Sequence, residues 1–326
     1  MTSPLLRITG FGLAAALALS IGAQAAPPPA VQEQLDKAKA LAANDAGLQN
    51  SIALMCTQIA SNGPDLATAR SRSLQIPPPT KAFDNLYYVG IGSVGAWALT
   101  TSAGIILFDT LDNANEAETY IVGGLQKLGL KPSDIKYIVI THGHGDHYGG
   151  AVYMQDHYPQ AHLLMSEVDY ALAEKSASSP PRNGRPQAPA PRRDMVVTSG
   201  QKLTLGDTTL TLYVYPGHTP GAISTILPVK DHGKPHLLSF WGGTTPPRDR
   251  EMQQKYVQSF ADFTRKVEAS GADGLISNHP VWDGTIDKLA AIRANPNGPN
   301  PYIIGRKKMD QYAAVQNACV AAALAQ

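Results

Sequence analysis

Between residues 141 and 150 the chain reads Thr141-His142-Gly143-His144-Gly145-Asp146-His147-Tyr148-Gly149-Gly150, so three imidazoles and one carboxylate fall within six positions. Neutral imidazole nitrogen and carboxylate oxygen bind small divalent metals such as zinc. A donor set without thiolate suits a hydrolytic centre better than a sulfur-rich structural one. His142 and His144, two positions apart, can grip one ion, while the adjacent Asp146 and His147 point elsewhere and can grip a second. The chemistry this implies is metal-assisted hydrolysis. The alternative, a polar loop rich in histidine by accident, fits poorly with a position directly after the apolar run Ile135–Ile140.

Two ions need partners from elsewhere. His218 sits in Tyr215-Pro216-Gly217-His218-Thr219-Pro220-Gly221 and His279 in Leu275-Ile276-Ser277-Asn278-His279-Pro280, each just after a strand-like run. Taken singly, either is also what an ordinary turn histidine looks like. His157, His162, His232 and His236 lack such a setting and read as surface or helix-end residues. A ligating imidazole donates its other N–H to an acceptor behind it. Asp109, at the end of an earlier strand, is the candidate for that role or else a capping residue. Trp97 and Trp241 either line the cleft or pack in the core, and large aromatics usually belong to packing.

The elements that must position these residues can be read from alternation and breakers. Strand-like runs cover Leu86–Val89, Ala96–Thr100, Gly104–Asp109 and Ile135–Ile140, with a helix over Ala114–Leu128 ended by Gly129 and Pro132. Gly143 and Gly145 then offer turn conformations closed to most side chains. A helix over Ala151–His157, a strand over His162–Met165 and a helix over Asp169–Lys175 follow. The stretch 176–193, rich in Ser, Pro and Arg, reads as a long surface loop whose arginines could attract a substrate carboxylate. Strands resume at Met195–Thr198, Lys202–Leu205, Thr208–Tyr215, Ala222–Pro228 and His236–Phe240, and helices take over at Arg250–Ala269, Gly284–Ala294 and Met309–Leu324. Two halves, each a run of strands followed by helices, give one domain with two sheets between helical layers.

The first residues carry Arg7, an apolar stretch from Ile8 to Gly22, and the small-residue pattern Ala23-Gln24-Ala25, which reads as an export signal over 1–25. An N-terminal extension over 26–80 follows; Val31–Ala43 has helical composition without a strong apolar stripe and is expected to pack loosely. The chain has 27 basic and 26 acidic residues, and removal of the signal takes away Arg7 and no acid, leaving the two in balance. That balance gives no reason to expect nucleic acid or anionic membrane as a partner, and a small-molecule substrate is expected instead. Oligomeric state is not legible. Cys56 and Cys319 either form a disulfide, as an exported protein allows, or stand as two separate buried thiols.

His142, His144, Asp146 and His147 meet the HxHxDH signature of the metallo-β-lactamase superfamily, and the chain resembles that superfamily from about Phe83 onward. The resemblance implies an α/β fold, a four-layer αβ/βα sandwich, over a hydrolase domain at 81–326. The segments Gly217–Gly221, Asn278–Pro280 and Asn300-Pro301-Tyr302 look most like the third subclass of metallo-β-lactamases, which binds two zincs through His and Asp only. Carried over, His142, His144 and His218 would hold the first zinc, and Asp146, His147 and His279 the second. Asp146 would also orient an attacking hydroxide bridging the metals. Glyoxalase II and lactonase relatives carry a bridging Asp about two dozen residues after the third His, where this chain has Leu238–Thr245 without a carboxylate; Asp231 and Asp249 stand early and late. Serines that read substrate in the subclass are replaced by Gly243 and Thr245; Thr245, with Trp241, is the expected substrate contact. The function implied is a periplasmic or secreted zinc hydrolase opening a β-lactam ring. The alternatives are hydrolysis of another cyclic amide, lactone or ester at the same centre, and a non-catalytic zinc-binding protein.

Overall fold

The computed structural model describes residues 27–45, 48, 52, 56, 74–181 and 186–325; the expected signal at 1–25, and Arg182 and Arg185 of the Pro/Arg loop, lie outside them. Seven strands form the first sheet in chain order: β1 (Thr80–Lys81), β2 (Leu86–Tyr88), β3 (Trp97–Thr101), β4 (Gly104–Phe108), β5 (Ile135–Val139), β6 (His162–Ser166) and β7 (Met195–Val197). β1 to β4 pair antiparallel and β4 to β7 parallel. A second sheet holds β8 (Gln201–Leu205), β9 (Thr208–Tyr215), β10 (Ala222–Asp231), β11 (Lys234–Phe240) and β12 (Gly274–Ile276), antiparallel except for the β11–β12 pair.

The two-residue period of a strand sorts the apolar residues into layers. Ile105 and Leu107 of β4 face outward onto the helical stretch 114–127 and the helices Ala151–His157 and Glu167–Ala177, whereas Ile106 and Phe108 face the second sheet. Phe108 meets Phe240 of β11 edge to face across that interior, with ring centroids 5.4 Å apart. The far side of the second sheet is covered by the helices Arg250–Ser270 and Arg306–Leu324. The result is the expected four-layer αβ/βα sandwich. The helix Arg250–Ser270 obeys its local signals: Asp249 caps it by accepting from the Met252 N–H at 2.9 Å, and Gly271 ends it at φ 78°.

Three expectations need correction. The helix Pro29–Ala42 is not loosely packed: Val31, Leu35, Ala38 and Ala42 are buried against the C-terminal helix, and a disulfide joins Cys56 to Cys319 of that helix. The narrow stripe was missed because two of its members are alanines. Secondly, the helix expected over Ala114–Leu128 is interrupted by a π-helical turn at Ala117–Val122. Thirdly, neither Gly143 nor Gly145 has a positive φ. The histidine segment turns into a short helix, Gly145–Tyr148, and Gly143 is required by crowding: a Cβ there would stand 2.9 Å from the Asp169 carbonyl. Among the described residues no helix is long and apolar enough to cross a membrane.

Candidate metal centre

The parallel strands β4, β5 and β6 all end on one side of the first sheet, where α/β folds place their binding sites. There the loop after β5 meets the turn between β9 and β10, which carries His218, and the segment after β12, which carries His279. The Ile223 N–H donates to the Thr141 carbonyl at 2.7 Å and the Asn278 side-chain amide to Thr141 Oγ1 at 2.9 Å, so hydrogen bonds to Thr141 lock the three segments together. Donor atoms of His142, His144 and His218 lie within 4.8 Å of one another, and so do those of His142, Asp146 and His147. His279 completes the cluster: its Nε2 is 3.2 Å from His147 Nε2 and 3.8 Å from Asp146 Oδ2. All six residues named from the sequence are thus brought together.

The outer nitrogens fix which atoms face inward. His218 Nδ1 lies 2.6 Å from the Thr245 carbonyl and His279 Nδ1 2.8 Å from the Ser93 carbonyl. A carbonyl oxygen has no proton to give, so both Nδ1 atoms must donate, and both Nε2 atoms present a bare lone pair to the cluster. His218 Nε2 lies 3.1 Å from His142 Nε2. A proton or a cation must sit between such pairs. The donors fit a divalent metal: lone pairs converge, and each of these imidazoles is oriented by an acceptor behind it. His147 obeys the same rule, with Nδ1 2.8 Å from Asp109 Oδ2.

Asp109 is held in strained backbone. Its φ is 61°, a left-handed value that costs on the order of 1–3 kcal/mol for a side chain of this kind. Thr141 secures its carboxylate by donating from the backbone N–H at 2.7 Å and from the hydroxyl at 2.8 Å. It therefore supports His147, one of the two roles the sequence left open for it, and also Thr141 at the start of the histidine loop. Burial lowers the basicity of His142, of His279 and of His218, the last to about 3, and neighbouring imidazoles add to the effect. At His147 burial also pushes downward, but Asp146 and Asp109 outweigh it and raise the group to about 10. Burial would raise Asp146, yet His147 overcomes it and holds the carboxyl far below the usual range.

Other expected residues land differently. Trp241 does not line the cleft; it is buried among Tyr215, Tyr256, Phe260 and Phe263 because that aromatic cluster covers the second sheet. Its indole N–H donates to the Gly243 carbonyl, and that of Trp97 to the Ser277 carbonyl at 2.9 Å, so each tryptophan braces a site loop from behind. Thr245 enters through its carbonyl, as the partner of His218. At Gly243 a Cβ would lie 2.7 Å from His218 Cβ, so a side chain there would displace the histidine. Arg192 pairs with Asp156, and Arg193 with Glu167 and Glu174, which anchors the loop to the helices and engages both guanidinium groups with carboxylates of this chain. The loop does lie over the histidine segment: a Cβ on Gly145 would stand 3.5 Å from Ala188 Cβ. Asp231 accepts from Asn300 and Asp249 caps a helix, so neither reaches the site. Sequence reasoning passed over Asn278, whose buried amide donates to Thr141 Oγ1 at 2.9 Å and to the Gly242 carbonyl at 2.8 Å; only its place beside His279 signalled it.

A sequence profile of the metallo-beta-lactamase superfamily matches residues 89–233. The chain is 34% identical over 109 residues to the uncharacterised protein YobT of Bacillus subtilis, and 31% identical over 117 residues to the hydroxyacylglutathione hydrolase GloC of Haemophilus influenzae. These matches cover 32% and 36% of this chain, and 45% and 53% of the relatives, so the chain spans about half the length of the curated relatives it matches. The crystal structure of BJP-1, a subclass B3 metallo-beta-lactamase of Bradyrhizobium japonicum, is similar with a TM-score of 0.62 and 32% identity, over 75% of this chain and 92% of that one. With that coverage and the shared sandwich, the chain belongs to the metallo-β-lactamase superfamily, on its subclass B3-like side.

Proposed function

We propose that the chain is an exported two-zinc hydrolase that opens a β-lactam ring. His142, His144 and His218 would hold the first zinc, and Asp146, His147 and His279 the second. The observation that carries this reading is the donor set: five imidazoles and one carboxylate converge, and among the described residues no further carboxylate joins either three-donor group. Zinc bound there supplies Lewis acidity that polarises a carbonyl oxygen and brings the pKa of water towards neutrality. The protein's own part is to hold tautomers and an ionised hydrogen-bond acceptor. Asp109 and the carbonyls of Thr245 and Ser93 keep three imidazoles facing inward. Asp146, with 35% of its side chain exposed and its carboxyl held ionised, can orient water by accepting a hydrogen bond at Oδ2. Likeness to a subclass B3 enzyme supports the β-lactam, and a disulfide supports an oxidising compartment outside the cytoplasm.

The hydroxyacylglutathione hydrolase relative favours a second reading, hydrolysis of a thioester, lactone or ester at the same centre. Nitrocefin and a carbapenem, assayed with and without chelator, test the first. Chelator-sensitive, zinc-restored turnover is expected. Turnover confined to a thioester, lactone and aryl-ester panel would replace it with the second, and two retained zincs without any turnover would make this a zinc-binding protein.

A further inference from the structure

Asp169 lies in the first turn of the helix Glu167–Ala177, just past β6, is fully buried, and belongs to neither donor group. Its Oδ2 accepts from the Gly143 N–H at 2.8 Å and from the Thr219 hydroxyl at 2.6 Å, and its Oδ1 from the Gly221 N–H at 2.9 Å. Gly143 separates His142 from His144, and Thr219 directly follows His218. One carboxylate thus ties together the two loops that contribute the entire first group, while none of these bonds reaches Asp146, His147 or His279. Little slack remains, since a Cβ on Gly143 would approach Leu172 Cδ2 to 3.1 Å and one on Gly221 would approach Asp169 Cγ to 3.0 Å. Burying a carboxylate is costly unless donors surround it, and here the donors are backbone and hydroxyl groups of the ligand loops themselves.

We infer that Asp169 is a positioning residue for the first metal: it sets the separation between the His142/His144 pair and His218 without touching metal or substrate. The inference rests on the two-metal reading above. A merely structural carboxylate would lower stability and leave the metal affinities in their original ratio. A positioning carboxylate weakens the first group alone.

Zinc affinity, measured by competition with a chromophoric chelator, separates these outcomes, with cobalt(II) absorption as a second readout of ligand geometry. Asp169→Asn keeps the size but turns one acceptor into an NH₂ that faces a donor. First-site affinity should fall roughly 10–100-fold, with the second site unchanged and the cobalt spectrum of the first site altered. Thr219→Val removes one of the three bonds and leaves the backbone pair, so it should give a smaller loss in the same direction, and Thr219→Ser should restore wild-type affinity. Thr219→Val keeps the test decisive if Asp169→Asn does not fold. Wild-type protein that takes up two zincs, with variants whose affinities are unchanged or lowered equally at both sites, would overturn the inference alone. Wild-type protein that takes up none would overturn the two-metal reading with it.

Discussion

At the scale of single residues, the centre is a competition between protons and metal for the same lone pairs. His279 offers a bare Nε2 to Asp146 and His147, so His279→Ala should lower zinc stoichiometry from two towards one, read by atomic emission on dialysed protein. Unchanged stoichiometry would remove it from the ligand set. With burial outweighed by Asp146 and Asp109, His147 is raised to about 10 and carries a proton at neutral pH when no metal is bound. On the proposed two-zinc reading, metal binding displaces that proton. Apparent affinity should therefore rise with pH up to about 10, and calorimetric titrations in buffers of different ionisation enthalpy should report proton release; buffer-independent heats would contradict it. The convergent His and Asp cluster was legible from local sequence because four of its six members are packed into one loop. The roles of Trp241, Arg192 and Arg193 were not, since a tryptophan's partners and an arginine's counter-ions are chosen by other segments.

At the scale of elements, most boundaries follow from signals within a few residues. β9 at Thr208–Tyr215 and the helix Ala151–His157 coincide with their sequence-based limits because alternation and flanking turn residues are unambiguous there. The helix Pro29–Ala42 shows the opposite case. Its stripe of Val31, Leu35, Ala38 and Ala42 is too weakly apolar to announce burial, and only contact with the helix Arg306–Leu324 gives it a role. If that helix belongs to the cooperative fold, Leu35→Ala should cost about 2–5 kcal/mol in urea unfolding. A value within about 0.5 kcal/mol of zero, usual for surface sites, would return the helix to a loose appendage.

At the scale of the whole molecule, the disulfide between Cys56 and Cys319 spans 263 residues and closes almost the full chain into a loop. Cys319→Ser should lower stability by about 2–5 kcal/mol, measured against wild type under oxidising conditions. Equal stability would show that the bridge adds nothing beyond the packing of Pro29–Ala42 against Arg306–Leu324. By itself the sequence determined the chemistry on offer, an all-His/Asp metal set, and most of the strands and helices, since both depend on neighbours in the chain. Tertiary structure decided which Nε2 atoms face one another, that Asp169 and Asn278 bind the ligand loops together, and that Trp241 braces a loop instead of meeting substrate. Those facts are distances between residues far apart in sequence, set by how two sheets pack, and no local pattern encodes them.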